Sequence, residues 1–300
     1  MNKKVCILGC TGMLGSAVLD VFVKNDSNHI TATARSSDLF NNSFSSIQWK
    51  IFDAEKKNLK NTLSEIVKDV DFVVNCIGII KPYMQDSNPE NIKRAIKVNS
   101  MFPYSLSDLS KEFNFKVLQI ATDCVYSGQK GLYCEDDKHD ALDVYDKTKS
   151  LGEVIGNSSF YNLRCSIIGK EKKSFVSLLE WFLKQPRGAT LNGYANHHWN
   201  GVTAHHFGKI CLGIIKNDLQ VGEKQHIVPG DIVSKYDMLK IFAKYFNRSD
   251  LIINKVDTPI KIDRTIYTIN KAINNKIWES AGYLIPPTIE EMIKEISEIS

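Results

Sequence analysis

The stretch KKVCILGCTGMLG, residues 3–15, joins a short apolar run to three glycines spaced three residues apart. The apolar run is typical of a buried strand, and apolar residues then recur at helical spacing from Gly12 to Lys24. Gly9, Gly12 and Gly15 each have a mechanical reason to be glycine: one permits a tight turn, one lets a pyrophosphate approach the backbone, and one lets helix and strand pack closely. The stretch therefore predicts a strand–turn–helix unit that binds a dinucleotide at the helix N-terminus. A glycine-rich turn without a ligand is the alternative.

Beyond this stretch, short apolar runs alternate with helical segments through about residue 170. The strand candidates are HITATA, IQWKIFD, DFVVNCIG, FKVLQIAT and FYNLRCSI. Such alternation predicts a parallel sheet with helices on both faces, which right-handed crossovers turn into a Rossmann-like, doubly wound α/β fold. The pattern loosens afterwards. We therefore expect a dinucleotide-binding domain in residues 1–170 and, mainly in residues 171–300, a smaller substrate-binding lobe, with the chain free to cross between them.

The composition is that of an ordinary globular protein, with 43% hydrophobic and 24% charged residues. The net charge of +4 is small and interspersed, which gives no support to a nucleic-acid or membrane partner. Glycines interrupt the first apolar run, so it does not fit a signal peptide. The seven cysteines form no CxxC pair, and the histidines no metal-binding pattern. We expect a reduced, cytoplasmic protein with no metal.

The residue after the second strand bears on the choice of cofactor. An acidic residue at this place usually binds the ribose hydroxyls of NAD, whereas arginine suits the 2′-phosphate of NADP. Arg35 therefore favours NADP, with NAD possible, and an exposed arginine without this role is the alternative. Asp53 ends the third strand and is expected to reach the adenine edge.

The segment VYDKTKSLGE, residues 144–153, places Tyr145 one helical turn before Lys149, so that both lie on one helix face. Taken alone, this spacing fits an ordinary surface contact. It also fits a phenolic proton donor beside an ammonium that lowers its pKa. A hydroxyl at Thr122, after the fifth strand, would lie at the carboxyl edge of the sheet, where such folds bind ligands.

Four segments then occur in a recognisable order: GCTGMLG, NCIG (75–78), TDCVYSG (122–128) and YDKTK (145–149). Together they resemble an extended short-chain dehydrogenase/reductase and, more narrowly, the dTDP-4-dehydrorhamnose reductase family. The likeness continues more weakly through NLRCSIIG, NGYANHHWNGVT and DRTIYTINKAINNKIWESAGY, and so covers nearly the whole chain.

The resemblance implies an NAD(P)-dependent oxidoreductase that contributes to deoxysugar and polysaccharide biosynthesis. Tyr145 would be the acid, Lys149 would tune it and bind the nicotinamide ribose, and Thr122 would orient the carbonyl. Asn99 resembles the asparagine that shapes the active-site helix, although a helix cap would look the same. The expected cofactor contacts are Gly9, Thr11, Gly12, Met13, Leu14, Gly15, Arg35, Asp53, Cys76, Ile77, Gly78, Tyr145 and Lys149. The expected substrate contacts are Asp123, Cys124, Asn196, His198 and Trp199, where lobe packing is the alternative for Trp199.

Three departures from the family pattern leave the substrate open. The segment after Gly78 lacks the usual acidic and lysine pattern, Cys124 stands where an aromatic residue is common, and Asp146 stands where glycine is. In addition to these three, RCSIIG departs from the usual substrate-side sequence. The leading expectation is NADPH-dependent reduction of the 4-keto group of a dTDP- or UDP-linked 4-keto-6-deoxyhexose of the rhamnose type, by a monomer or homodimer.

Two alternatives remain. The first is a combined epimerase and 4-reductase resembling GDP-fucose synthase, in which Cys124 would work with His197 or His198. Against it stands the interpretation of Cys124 as a small packing residue. The second is a non-catalytic regulatory subunit, as in the beta subunit of methionine adenosyltransferase.

Overall fold

A computed structural model describes residues 3–25, 29–40, 47–171 and 177–299. Its main element is a seven-stranded parallel sheet in the order β11-β6-β5-β4-β1-β2-β3. The strands are β1 (Lys4–Leu8), β2 (His29–Ala34), β3 (Ile47–Ile51), β4 (Phe72–Asn75), β5 (Lys116–Ala121), β6 (Phe160–Arg164) and β11 (Lys224–His226). The predicted Rossmann-like α/β fold is confirmed.

Ten α-helices lie within the described residues. They are α1 (Met13–Asn25), α2 (Leu59–Val67), α3 (Pro89–Ala95), α4 (Phe102–Phe113), α5 (Val144–Leu151), α6 (Leu178–Leu183), α7 (Ala204–Lys216), α8 (Lys235–Tyr245), α9 (Lys271–Ser280) and α10 (Ile289–Glu298). A π-helical segment, Ile96–Met101, joins α3 directly to α4, and three-residue 3-10 turns occupy Ser37–Leu39, Lys81–Tyr83 and Asp123–Val125.

Each face of the sheet is covered by its own hydrophobic core. Strand β1 shows why, because Val5 and Ile7 point into one core while Cys6 and Leu8 point into the other. The first core also receives residues of α1 and α7, and the second receives residues of α2 and α4. A strand buried on both faces has an uninterrupted apolar sequence, which is what the run before the glycines shows.

The second half of the chain contributes to the main sheet as well as to smaller sheets. Strand β11 pairs with β6, and Gly208 of α7 packs against Val18 and Val21 of α1. A Cβ atom on Gly208 would approach the Val18 Cα to 3.2 Å, so the absent side chain allows the two helices their close approach. The chain therefore returns to the sheet after residue 170.

Three small sheets complete the fold. They pair β7 (Ile167–Ile168) with β10 (Val202–Thr203), β8 (Thr190–Tyr194) with β13 (Ile252–Val256), and β9 (His197–Trp199) with β12 (Val233–Ser234) and β14 (Ile262–Asp263). None of the helices in the described ranges combines the length and the apolar character needed to cross a bilayer.

Candidate functional site

The strand order reverses at β1, from which the chain builds the sheet outward in both directions. In open α/β sheets, ligands bind beyond the carboxyl ends of the strands at such a reversal. The glycine turn follows β1 there, and Cys76 to Gly78 follow the adjacent β4. The two segments touch, since a Cβ on Gly9 would lie 2.9 Å from Ile77 Cγ1.

The three glycines of the turn have three different geometries. Gly9 has φ +85°, a left-handed conformation that favours glycine, and its amide donates to Thr33 Oγ1 at 2.9 Å. A Cβ on Gly15 would lie 2.2 Å from the Gly9 carbonyl oxygen, so helix and turn are in direct contact. Gly12 is exposed, and the nearest atom to its Cβ would be 3.7 Å away. Thr11, Met13 and Leu14 lie between them. An open backbone above a tight turn is a cradle that a pyrophosphate fits.

Charged residues surround the next strand ends. Arg35, directly after β2, is exposed. The pKa of Glu55 is lowered, chiefly by a hydrogen bond from Arg94, and the charge of Arg35 contributes to this lowering. Arg94 binds the two oxygens of Glu55 at 2.7 Å each. Asp53 accepts the Glu55 amide at 2.9 Å. Arg35 is thus placed where an adenosine 2′-phosphate would need a cation.

Thr122, Tyr145 and Lys149 converge at the end of β5. The Thr122 hydroxyl accepts the Cys124 amide at 3.1 Å and thereby caps the turn Asp123–Val125. The same hydroxyl interacts with the Tyr145 phenol. Lys149 Nζ donates to the Ile120 carbonyl oxygen at 2.9 Å. The structure therefore brings together the three side chains that the sequence predicted to act together.

The titration behaviour of this group differs from the prediction. Burial raises the pKa of Tyr145 well above its ordinary value, and the hydrogen bond to Thr122 opposes the rise. Burial also lowers the pKa of Lys149 to about 8, against an opposing effect of Glu153. The net direction for Tyr145 is therefore opposite to the expected acidification, because burial of the phenol outweighs the lowering effect of Thr122.

Asn99 lies within the π-helical segment, not at a helix cap. Its side chain accepts the Ile79 amide at 2.8 Å and donates to the Ile79 carbonyl at 3.0 Å and to Thr148 Oγ1 at 3.3 Å. A Cβ on Gly152 would meet the Asn99 carbonyl oxygen at 1.8 Å. Asn99 thus joins the loop after β4 to α5. Single π turns are frequent at functional sites.

A charged cluster that sequence reasoning missed flanks Tyr145. Lys81 Nζ lies 2.6 Å from Asp143 Oδ2, 2.9 Å from Asp146 Oδ2 and 5.7 Å from the centroid of the Tyr145 ring. Asp146 is 2% exposed, and burial raises its pKa to about 7, with Lys81 opposing. Asp146 Oδ1 has no hydrogen-bond partner among the described residues. The signal available in the sequence was Asp146 itself, where the family has glycine.

A pocket of about 350 Å³ opens beside the start of α5. Polar side chains dominate its wall, which suits a hydroxyl-rich ligand better than an apolar one. It is lined by Ser127, Gln129, Asp140, Ala141, Leu142, Asp143, Asp146 and Arg264.

Two cations from the second half of the chain face the turn after β5. Arg264 and Lys235 both oppose the rise that burial causes in the pKa of Asp123. Burial raises the pKa of Cys124 to about 12, and the charges of Arg264 and Lys81 oppose this rise. Neither Arg264 nor Lys235 was predicted, although Arg264 is the second residue of the DRTIYTINK segment that carries part of the family resemblance. Cys124 also contributes to the raised pKa of Tyr145, so the thiol lies close to the phenol.

The predicted substrate residues of β9 and the turn before it have mixed environments. Asn196 bonds to the main chain of Thr258. His198 Nδ1 lies 3.4 Å from Asp263 Oδ2. Trp199 is 5% exposed and packs within the larger core, with Lys235 over its ring at 5.8 Å. Because Trp199 is almost fully buried, little of its ring can contact a ligand, and the packing interpretation is favoured.

Comparisons with known proteins agree with the fold. The profile of the family described as the RmlD substrate binding domain matches residues 3–298. No curated protein sequence matches significantly.

Among solved structures, a dTDP-4-dehydrorhamnose reductase from Bacillus anthracis in complex with NADP is 16% identical, with 99% of each chain covered and a TM-score of 0.73. A dTDP-4-dehydrorhamnose reductase from Clostridium acetobutylicum is 18% identical, with 98% of each chain covered and a TM-score of 0.70. A UDP-glucuronic acid 4-epimerase mutant from Bacillus cereus, in complex with NAD and a fluorinated UDP-glucuronic acid, is 17% identical, with 98% of each chain covered and a TM-score of 0.71. At these identities the solved structures show a shared fold.

Proposed function

Because this chain belongs to the family of the RmlD substrate binding domain, we propose that it is an NADPH-dependent reductase of nucleotide-linked 4-keto-6-deoxyhexoses. The observation that carries the proposal is the convergence of Thr122, Tyr145 and Lys149 at the end of β5, beside the glycine turn. The family and the similar fold of reductases and epimerases support a nucleotide-sugar as substrate.

The cofactor would lie across the strand ends at the order reversal. The glycine turn would hold the pyrophosphate, Arg35 the 2′-phosphate, Asp53 the adenine edge, and the loop Cys76 to Gly78 the nicotinamide half. Reduced nicotinamide would supply the hydride. Arg35 supports NADPH over NADH because its exposed guanidinium at the end of β2 suits the 2′-phosphate, which only NADPH carries.

Tyr145 is the proposed proton donor to the C4 oxygen. A phenol whose pKa is raised by burial remains protonated at neutral pH, as a general acid must. The Thr122 hydroxyl would donate a second hydrogen bond to the same oxygen, which stabilises the negative charge that develops there. Lys149 would hold the nicotinamide ribose, and its own bond to Ile120 fixes its position.

The substrate would bind between the strand ends and the second half of the chain. We assign its diphosphate to the cations Arg264 and Lys235 and its sugar to the surface around Asp123, Cys124 and the polar pocket. Asn196 and His198 remain proposed contacts of the nucleotide end. In this division, residues 1–170 mainly bind the cofactor and residues 171–300 mainly bind the substrate.

The test is an assay of NADPH and NADH oxidation with dTDP-, UDP- and GDP-linked 4-keto-6-deoxyhexoses, with the product configuration determined by NMR. We expect turnover with NADPH and a dTDP- or UDP-sugar. Tyr145→Phe should lower kcat by about 100-fold or more, with a much smaller effect on NADPH affinity, because the glycine turn and Arg35 keep their proposed contacts. Cofactor and sugar binding without turnover would instead indicate a regulatory subunit, and an active phenylalanine variant would remove Tyr145 from the mechanism.

The position of Cys124 beside Tyr145 favours one second candidate, a reductase that also epimerises the carbon next to the ketone. The raised pKa of the thiol argues against it, because a protonated thiol is a poor base. Solvent deuterium should therefore not enter the sugar ring during turnover. Incorporation that disappears in Cys124→Ser would establish the epimerase.

A further inference from the structure

Two lysines belong to the surroundings of Tyr145, one on its own helix and one in the turn after β4. Lys149 comes from its own helix and is bound to the Ile120 carbonyl. Lys81 comes from the turn after β4, and its ammonium lies 5.7 Å from the centroid of the Tyr145 ring. An ammonium at this distance from an aromatic face is attracted to the ring, and more strongly once the phenol loses its proton.

Lys81 is held in place by two carboxylates, one at the N-cap of α5 and one in its first turn. Asp143 caps the helix, accepting the Asp146 amide at 2.8 Å, and both carboxylates bind the Lys81 ammonium. Two ion pairs to one rigid helix fix the long lysine side chain against the ring of Tyr145. Asp146, buried and adjacent in sequence to the tyrosine, acts on it with the opposite sign, because its charge helps to raise the pKa of Tyr145.

The other charged or titratable groups in this neighbourhood are few. The turn after β5 presents Asp123 and Cys124 to Tyr145, and Arg264 and Lys235 face those two side chains. Asp86, from the loop before α3, approaches the start of α5 at the Val144 amide, 3.4 Å away. Within the described part of the chain, Lys81 alone combines a positive charge with a position over the ring and a direct ion pair to the tyrosine's own helix.

We propose that Lys81 and Asp146 are positioning residues that set, in opposite directions, the pH at which Tyr145 exchanges its proton. The ammonium stabilises the phenolate, and the carboxylate both holds the ammonium and destabilises the phenolate. This inference rests on the proposed role of Tyr145 in catalysis. It also explains what Asp146 does where the family commonly has glycine: its carboxylate pairs with the Lys81 ammonium beside the proposed proton donor.

The test measures the titration of residue 145 directly in the protein without cofactor or substrate. A ring-fluorinated tyrosine, which is more acidic than tyrosine, is incorporated at position 145, and its fluorine NMR shift is followed against pH. The fluorinated tyrosine is chosen so that its transition lies above the pKa of Asp146, where that carboxylate is ionised. Lys81→Met should raise the midpoint by about one pH unit, and Asp146→Asn should lower it.

Two further variants separate charge from packing. Lys81→Arg keeps the charge and should leave the midpoint near that of the unsubstituted protein. The double variant Lys81→Met/Asp146→Asn removes both charges and should fall between the two single variants. Midpoints that do not move in Lys81→Met and Asp146→Asn, or that move in the same direction in both, overturn the proposal. If Lys81→Met fails to fold, Lys81→Gln removes the same charge and takes its place.

Activity supplies an independent second measurement. In the reduction direction, kcat should fall above the working pKa of Tyr145, and that limb should move up in Lys81→Met and down in Asp146→Asn. If no sugar nucleotide is reduced, the proposed function fails while the fluorine titration still decides the inference. If turnover occurs with an unmoved pH limb and an unmoved titration, the inference alone fails.

Discussion

The cofactor side and the proton-donor side of the cleft are built in different ways. At the glycine turn, short local segments do everything: one left-handed glycine, one open glycine and one glycine in contact with the turn all lie within seven residues. At Tyr145, the environment is assembled from the loop after β4, the turn after β5, α5 and the second half of the chain. The local arrangement suits the cofactor pyrophosphate, a group that many enzymes bind. The assembled arrangement allows the proton-donating behaviour of Tyr145 to be changed by single substitutions in any of these segments.

The strongest test of this contrast is at the glycine turn. Gly15→Ala would place a Cβ 2.2 Å from the Gly9 carbonyl oxygen. We therefore expect the free energy of unfolding to fall by about 3 kcal/mol and NADPH binding to be lost. Gly12→Ala is the matched control, since its Cβ meets nothing closer than 3.7 Å. It should fold normally and still bind NADPH poorly. Urea unfolding and cofactor titration check both, and equal stability in the two variants would contradict the contrast.

A smaller effect is expected at the adenosine end. Arg35→Ser should weaken NADPH binding by about 10- to 100-fold and leave NADH binding unchanged, because only NADPH carries the 2′-phosphate. Arg187→Ser, at another exposed arginine, is the control and should affect neither cofactor. Equal losses for the two cofactors would show that Arg35 does not read the 2′-phosphate.

The pH dependence of cofactor binding tests Lys149. Burial lowers the pKa of Lys149 to about 8 in the protein alone, and a hydrogen bond from its ammonium to the ribose would favour the charged form. Binding must then take up a proton above about pH 8, so NADPH affinity should fall by up to about tenfold per pH unit there. Calorimetric titrations across this range should show the fall in the wild type and its absence in Lys149→Met. An unchanged wild-type affinity would contradict the contact.

The smallest effect should lie outside the cleft. Burial acts to raise the pKa of Glu295, but hydrogen bonds from His205, His206 and Tyr283 outweigh it and lower the pKa. Glu295→Gln should therefore reduce the free energy of unfolding by about 1 kcal/mol at neutral pH, with no change in kcat. Because the folded pKa is lowered, the difference from wild type should shrink as the pH falls below about 4.5.

Urea unfolding at several pH values measures the effect at Glu295, with the exposed Glu298→Gln as control. A loss of activity in Glu295→Gln would show that the C-terminal helix is coupled to the cleft.

The sequence predicted the parts of the fold and site that depend on local patterns. Six of the seven main strands, the glycine turn, and the convergence of Thr122 with the Tyr145 helix follow from apolar runs and from spacing along one helix. The seventh strand was placed in the smaller lobe, because three residues, Lys224–His226, carry too short a pattern to indicate their partner. The cluster of Lys81 with Asp146 joins residues 65 positions apart, and no local rule indicates such a pair.

Trp199 illustrates a different limit. An aromatic residue among histidines and asparagines suggested a ligand contact, whereas the fold buries it against the core. Burial of a single side chain depends on which face of a three-residue strand turns inward, and β9 is too short to show that by alternation. Arg264 and Lys235 are the converse case, since ordinary surface cations in the sequence meet the cleft only through the tertiary structure.

The pairing of β11 with β6 has a consequence for how the protein is made. Until residues 224–226 have left the ribosome, β6 is an open edge of a sheet that is otherwise complete, and α1 lacks the helix that covers it. Unpaired edges and uncovered apolar faces favour aggregation of nascent chains. We therefore expect the first half to depend on chaperones during synthesis, and a fragment ending near residue 170 to precipitate when expressed alone.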